Sequence, residues 1–173
     1  MKLKSLNRIA MFTALLAVCA WISIPSPVPF TLQTFGVFLA AGLLGRNKGA
    51  IAVLAYILLG AVGLPVFSGG RGGIGIILGE TGGYIMGFLP GAYICGTICE
   101  KNKKPLVLFA SMVFGLLVCY AAGSMWAYFM FFNVGYAGVI TVLTKHCLSF
   151  VIPDLVKLAV AACVVKELNK RGI

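Results

Sequence analysis

Of the 173 residues in this chain, 61% are hydrophobic and only 10% are charged, whereas a soluble domain is about half apolar and a quarter charged. That composition, with a mean hydropathy of +1.04, excludes an ordinary soluble enzyme or binding module and indicates an integral membrane protein. At about 20 apolar residues per bilayer crossing, the chain has room for roughly five to seven helices.

The apolar stretches are delimited by proline, glycine and charged residues. They predict six spans, at about 9–24, 35–44, 50–62, 84–99, 106–126 and 151–165. Residues 128–150 are aromatic and apolar but contain Asn133, Lys145 and His146, so we interpret them as an interfacial or re-entrant cap. The predicted class is an all-α, polytopic membrane protein with a single integral membrane domain.

The first span follows basic residues, as the apolar segment of a secretory signal peptide does. Because five further hydrophobic spans follow it, we interpret it as a retained first helix. The six cysteines lie mostly inside spans and form no paired framework, which favours small core residues. Cys95 and Cys99 share a helix face, but no histidine or carboxylate nearby completes a metal site, so we predict no metal.

A glycine-rich connection, residues 68–83, separates the third and fourth spans. Its sequence GGRGGIG contains a match to G-x-G-x-x-G, but no βαβ unit surrounds it, and the chain has no Walker A sequence. We therefore expect a flexible external loop whose bare backbone can close over a ligand. Farther along, glycine recurs every fourth residue from 79 to 91, a pattern that favours close packing between membrane helices.

Basic residues alternate between the connections. All of the 14 lysines and arginines except Arg71, Lys145 and Lys157 fall on one side of the predicted bundle. The positive-inside rule then places both termini in the cytoplasm and requires an even number of spans. This topology explains the net charge of +10, so no nucleic-acid partner is required.

Three charged residues are not explained by topology. Asp154 and Lys157 are spaced i, i+3 and share a face at the start of the last helix, where Pro153 suits the first helical position. Ionisable groups at membrane depth usually face a cavity or each other. One interpretation is an ion pair that fastens the bundle, and the other is an outward-facing recognition centre completed by Arg71.

Further polar residues lie near the same external face. Thr31, Gln33 and Tyr84 are candidates for hydrogen bonds to a ligand. Glu80 is open to two interpretations, a salt bridge to Arg71 or a ligand contact, and His146 is interpreted as an interface residue.

The chain resembles the BioY family, the biotin-binding S components of energy-coupling factor (ECF) transporters. The resemblance covers residues 8–167 and is carried by an ordered series of motifs. They are VPFTLQTF at 28–35, LLGAVGLPVF at 58–67, GGRGG at 69–73, TGGYIMGF at 81–88 and PDLVK at 153–157. This resemblance implies a six-helix fold with a solute pocket near the external face, and assembly with a membrane coupling subunit and two cytoplasmic ATPases.

The resemblance also assigns expected roles. Ala10 and Ala14 match the A-x-x-x-A pattern by which S components dock on the coupling subunit, although alone the pair fits internal packing equally well. Glu80 stands where a proline or neutral residue is expected, and the stretch 127–146 is more aromatic than is typical of the family. Biotin is the expected ligand, and no cofactor is expected.

Biotin has a ureido ring with two N–H donors, an apolar thiophane ring and an anionic valerate tail. Asp154 can accept the ureido N–H groups in charge-assisted bonds, with Lys157 holding it in place and Arg71 receiving the carboxylate. The opposite polarity, with the carboxylate on Lys157, stays open. Side chains around Phe35, Phe67 and Tyr84 would supply apolar walls. Backbone contacts are expected from the loop and helix-start glycines, Gly72, Gly73, Gly82 and Gly83.

Three alternatives compete with this interpretation. An S component for another small vitamin would keep the architecture and change the pocket, and an assembly subunit would leave Arg71, Asp154 and Lys157 unexplained. A membrane-embedded enzyme is disfavoured because one histidine and four acids provide neither a nucleophile–base pair nor clustered metal ligands.

Overall fold

The computed structural model describes residues 3–24, 30–131 and 149–171. Two short strands, β1 (Ser23–Ile24) and β2 (Phe30–Thr31), form an antiparallel pair, and Ser68–Gly70 forms a 3-10 turn. Most of the other described residues are helical, which confirms the predicted all-α class. The helices are α1 (Leu3–Trp21), α2 (Gln33–Ala61), α3 (Ile74–Ile77), α4 (Gly82–Lys101), α5 (Pro105–Phe131) and α6 (Ser149–Lys170).

Helix α2 is two antiparallel arms, residues 33–44 and 46–61, joined at Gly45. Gly45 has φ 77° and ψ −173°, a conformation that favours glycine. In a straight helix Gln33 and Tyr56 would be about 35 Å apart along the axis. Instead the Gln33 side-chain amide donates to the Tyr56 hydroxyl at 2.7 Å. The arms therefore correspond to the second and third predicted spans.

The junction between the arms packs against α4. The Glu100 carboxylate accepts the Arg46 backbone N–H at 2.9 Å, where the second arm begins and its first amides lack helical partners. The Arg46 guanidinium lies 5.5 Å from the centroid of the Tyr93 ring on the same helix. A side chain at Gly45 would collide with Glu100, and one at Gly96 would meet the Gly45 and Arg46 backbone. Glycine at both positions therefore allows the backbone of this turn to pack directly against α4.

Four helices in the described ranges, α1, α2, α4 and α5, are long and apolar enough to cross a membrane. Large apolar side chains also project outward, among them Leu106, Leu117 and Val160, which are exposed by 78%, 56% and 51%. Such a surface suits lipid contact and is unusual on a soluble monomer. Helix α6 carries Asp154 and Lys157 as well as charged residues near its end, which lowers its mean hydropathy.

The helix boundaries differ from the predicted spans mainly at the ends. Helix α1 begins at Leu3, and α4 and α5 extend beyond residues 99 and 126, because helices continue past the apolar core into the polar interface. Helix α6 begins at Ser149, about one turn before Pro153, so the prediction that Pro153 is its first residue is wrong. Of the cap predicted over 128–150, residues 128–131 continue α5, 149–150 begin α6, and the remainder, with Lys145 and His146, lies outside the described residues.

The two ends of the bundle differ in charge. One end carries the start of α1, the α2 junction, the α4–α5 turn and the end of α6, where Lys103 donates to the Asn169 side chain at 2.9 Å. All the basic residues that the sequence assigns to one side, as far as they are described, lie at this end. The other end carries the β1–β2 hairpin, Arg71, Asp154 and Lys157.

Helices α4 and α5 approach closely along the glycine series. A Cβ at Gly87 would lie 3.1 Å from the Cys119 backbone, and one at Gly91 would lie 2.7 Å from the Gly115 carbonyl oxygen. At Gly83 a Cβ would collide with Trp126. Small residues permit this backbone approach, from which membrane helices gain dispersion contacts.

We expect Gly91→Val to lower the thermal unfolding midpoint of the detergent-purified protein. The new side chain would press on the Gly115 backbone, which cannot move without shifting α5, at a cost of about 1–3 kcal/mol. Gly75→Ala is the matched control, because a Cβ at that position meets nothing within 4 Å. Equal midpoints for the two variants would contradict the packing role of the glycine series.

Candidate functional site

A cavity of about 790 Å³, including its mouth, opens at the end of the bundle with the hairpin. Its polar lining comes from Thr31, Gln33, Thr34, Ser68, Arg71, Thr81, Tyr84, Tyr120, Asp154 and Lys157. Its apolar lining comes from Phe67, Ile76, Ile85, Phe88, Leu116, Cys119 and Phe150.

At the cavity wall, Asp154 and Lys157 form an ion pair on successive turns of α6. The Lys157 ammonium lies 2.7 Å from Asp154 Oδ1, and the two residues are only 8% and 3% exposed. Burying a carboxylate and an ammonium is costly unless both are paired and hydrogen-bonded. The i, i+3 spacing predicted this proximity, and both side chains also line the cavity.

The Asp154 carboxylate receives donors from two other helices. Thr34 on α2 donates its hydroxyl to Oδ1 at 3.0 Å, and Tyr120 on α5 donates its hydroxyl to Oδ2 at 2.7 Å. The short second bond is typical of a hydroxyl on an ionised carboxylate. Three helices therefore meet at one acidic group.

Lys157 connects this acidic group to the hairpin. Its ammonium donates to the Thr31 backbone carbonyl at 2.7 Å and lies 3.8 Å from the centroid of the Phe30 ring. The Phe30 ring stacks on Phe150, with 5.9 Å between centroids. An ammonium has three N–H donors, so the Asp154 carboxylate, the Thr31 carbonyl and the Phe30 ring together account for all of them.

The hairpin is in turn attached to the end of α1. The Leu32 backbone N–H donates to the carbonyls of Cys19 and Ile22 at 3.1 and 3.2 Å. Where α2 starts, Gly36 packs against the side chains of Cys19 and Leu16. A single connected unit thus runs from the last turn of α1 through the hairpin to Lys157.

Gln33 lies deeper in the same wall and is 8% exposed. Its amide nitrogen donates to the Tyr56 hydroxyl at 2.7 Å, and its amide oxygen accepts the Thr31 hydroxyl at 2.9 Å. Both ends of the amide are therefore engaged within the protein. In this arrangement Gln33 and Thr31 order the wall beside the ion pair.

Arg71 contributes an exposed cation at the mouth. Its Nε donates to the Ser68 carbonyl at 3.1 Å, which leaves the terminal guanidinium nitrogens directed elsewhere. Within the described part of the chain it has no ion-pair partner, and Glu80 is exposed without an ion pair to it. The salt-bridge alternative considered for Glu80 is therefore not seen.

Four glycines predicted to contact the ligand lie in the walls around the cavity and not among the residues that line it. Gly72 abuts the Leu64 backbone, and Gly73, with φ 102°, donates its N–H to the Gly60 carbonyl at 2.7 Å. Gly82 lies against the Ile77 carbonyl, and Gly83 against Trp126. Gly72 and Gly82 thus approach neighbouring backbone closely, and a direct ligand contact of any of the four glycines stays a prediction.

Segment 74–82 forms one side of the cavity and is held by Trp126. The Trp126 indole N–H donates to the Gly79 carbonyl at 3.0 Å, while Ile76 lines the cavity. Deeper in, Phe67 is buried against Gly60 and packs edge-on to Tyr56, with 5.5 Å between centroids. Phe67 and Tyr84 line the cavity as expected, whereas Phe35 packs against the core and does not.

Sequence reasoning did not identify Thr34 and Tyr120 as site residues. Thr34 directly follows Gln33 at the start of a helix, where a threonine is ordinarily solvated. Tyr120 lies within the long apolar helix α5, where tyrosine resembles an interfacial residue. Their position relative to Asp154 depends on how three helices pack, which no local pattern encodes.

Two further predictions concern residues away from the cavity. Ala10 and Ala14 are exposed on the outer face of α1. Cys95, Cys99 and Ser111 form a buried cluster, with 3.0 Å between Cys99 Sγ and Ser111 Oγ. No group of three or more candidate metal ligands occurs within the described ranges.

Comparison with known proteins gives a consistent result. The BioY family model matches residues 1–172. A protein of Thermotoga maritima named "Biotin transporter BioY" is 44% identical over 97% of both chains. A "Probable biotin transporter BioY" of Pyrococcus horikoshii is 42% identical over 98% of both.

A solved structure shares the fold. It is the S-component for biotin from an ECF-type ABC transporter, with a TM-score of 0.85 and 29% identity, covering 96% of this chain and 91% of that one. The similarity extends over the whole bundle and not only over the cavity. This chain therefore belongs to the BioY family of membrane transport components and is not an enzyme.

Proposed function

We propose that this chain is the biotin-binding subunit of an ECF-type vitamin importer. It captures biotin in the cavity from the external side and delivers it inward when coupled to an ATP-driven module. The observation that carries the proposal is the buried Asp154 carboxylate, which faces a small-molecule cavity in a chain related over its whole length to biotin transporters. An acceptor of this kind suits the N–H groups of a ureido ring.

The observed contacts favour one polarity for the bound ligand. Lys157 is fully engaged by Asp154, the Thr31 carbonyl and the Phe30 ring, so holding a ligand carboxylate would cost it one of these contacts. Arg71 has uncommitted guanidinium nitrogens at the mouth, where an anionic tail can also remain partly hydrated. In our proposal Asp154 accepts the ureido N–H, Lys157 holds Asp154, and Arg71 receives the valerate.

The remaining lining suits the apolar part of biotin. Phe67, Ile85, Phe88 and Leu116 give the thiophane ring a hydrophobic surface, and Tyr84 adds an aromatic edge with a polar tip. Thr31 and Gln33 support this wall through their mutual hydrogen bond. In our proposal, glycines allow the backbone around the cavity to approach closely enough to enclose the ligand. These glycines are Gly72, Gly73, Gly82 and Gly83.

In the proposed topology the cavity opens towards the external face of the cell membrane, and both termini lie in the cytoplasm. The basic end of the bundle supports this orientation through the positive-inside rule. The proposed partners are the lipid bilayer, a membrane coupling subunit and two cytoplasmic ATPases. For the coupling subunit we propose the outer face of α1, where the small side chains of Ala10 and Ala14 leave space for a second helix.

Biotin should raise the thermal unfolding midpoint of the detergent-purified protein in a dose-dependent way. A ligand that binds only the folded state stabilises it. Desthiobiotin keeps the ureido ring and should also stabilise, while riboflavin should have no effect. A well-folded sample that shows no shift with biotin would overturn the proposed substrate.

The variant Asp154→Asn should weaken biotin binding by about tenfold or more, equivalent to about 1.4 kcal/mol. The substitution keeps the size of the side chain but removes the charge that strengthens the bond to a ureido N–H. Titration calorimetry measures the loss. Glu167→Gln, at the exposed far end of the same helix, is the control and should bind normally; unchanged affinity in Asp154→Asn would remove its assigned role.

Replacing Ala10 and Ala14 with tryptophan should abolish capture of the coupling subunit in a pull-down and leave biotin affinity intact. Both residues are exposed on α1 and lie outside the cavity lining. The matched control places tryptophan at Phe114 and Leu117, two exposed positions on α5. If the Ala10 and Ala14 variant still captured the coupling subunit, the proposed docking role would be contradicted, and this face of α1 would be interpreted as a lipid-contacting surface.

A further inference from the structure

Tyr120 is the α5 residue that reaches the buried acidic group. Its ring lies edge-on to Tyr84, with 6.5 Å between centroids, and its hydroxyl donates to Asp154 Oδ2 at 2.7 Å. Tyr120 and Asp154 both line the cavity. The hydroxyl therefore lies at the point where α5 and α6 together line the cavity.

The donors around Asp154 are unequally distributed between its two oxygens. Oδ1 accepts from both Lys157 and Thr34, whereas Oδ2 accepts from Tyr120. An ionised carboxylate has about four lone-pair positions, two on each oxygen. Counted over the described residues, Oδ1 is saturated and Oδ2 retains one open acceptor position, on the side chain that faces the cavity.

The terminal torsion of an aspartate is broad and roughly two-fold, so the carboxylate can rotate unless its bonds fix it. Rotation about the Cβ–Cγ bond moves both oxygens together, and Lys157 and Thr34 oppose it at Oδ1. A bond to Oδ2 from a third direction opposes it at the second oxygen as well. The rigid phenol of Tyr120 supplies that bond.

We propose that Tyr120 is a positioning residue that fixes the Asp154 carboxylate so that the open position of Oδ2 meets a ureido N–H of the ligand. The inference rests on the proposed function, since it assumes that Asp154 accepts from the ureido ring. It assigns to Tyr120 a contribution to selectivity for ligands with an N–H donor at that position. The apolar walls then contribute affinity without selecting for that donor.

A double-mutant cycle tests whether Tyr120 acts through Asp154. Biotin affinity is measured by calorimetry for the unmodified protein, Tyr120→Phe, Asp154→Asn and the double variant. Tyr120→Phe keeps the ring and removes one oxygen. It should weaken binding about tenfold alone but less than about twofold in the Asp154→Asn background, because residues acting as one unit are not additive.

If Asp154→Asn does not fold or binds biotin too weakly, the second change of the cycle can be made in the ligand instead of in the protein. The second ligand is a biotin methylated at its ureido nitrogens, and both affinities come from thermal-shift titrations. Tyr120→Phe should weaken the binding of biotin strongly and that of the methylated ligand little. The ratio of the two affinities, which measures the preference for biotin, should therefore fall. A merely structural role would weaken both ligands by the same factor and leave the preference unchanged.

The control is Tyr93→Phe, which removes a phenol oxygen from an exposed ring outside the cavity lining. It should leave biotin affinity and ligand preference unchanged. Additive losses in the first cycle, or an unchanged ligand preference in the second, would overturn only the proposed role of Tyr120. The proposed function would not be affected by either result. Failure of the unmodified protein to bind biotin overturns the proposed function and this inference together.

Discussion

The Asp154 carboxylate is the group on which the architecture of the cavity depends. A carboxylate at this depth is stable only if hydrogen bonds and an opposite charge replace the water that it loses. Lys157 supplies the charge from the same helix, Thr34 a donor from α2, and Tyr120 a donor from α5. The need to satisfy one acid thus fixes the relative positions of three helices. A cavity wall with an open acceptor is the result.

The glycines of the bundle make this convergence possible. Gly45 reverses the direction of α2, so that Tyr56 on the second arm lies beside Gln33 at the start of the first arm. The glycines of α4 let α5 pack closely against it, and α5 in turn places Tyr120 against Asp154 of α6. Close backbone approach and buried polar bonds are therefore linked, because a wider spacing would leave the carboxylate short of donors. Apolar side chains on the outside then face lipid.

Local patterns in the sequence contained part of this arrangement. The all-α class, the break at Gly45 and the proximity of Asp154 to Lys157 follow from hydropathy, glycine and charge spacing, all of which act within a few residues. The contacts of Thr34 and Tyr120 do not follow, because they require the relative rotation of helices far apart in sequence. The glycine pattern predicts ligand contacts at Gly72 and Gly82, and in the structure both approach neighbouring backbone closely. A glycine pattern alone does not distinguish these two uses.

Helix α1 joins the two ends of the molecule mechanically. Its last turn holds the hairpin through the Leu32 N–H, and the hairpin holds Lys157 through the Thr31 carbonyl. Its 19 residues form a rod about 29 Å long. Tilting such a rod by about 10° moves one end by about 5 Å relative to the other. Because Phe12 and Leu16 of α1 are part of the core, such a tilt would shift the core contacts of α1 together with the rim of the cavity.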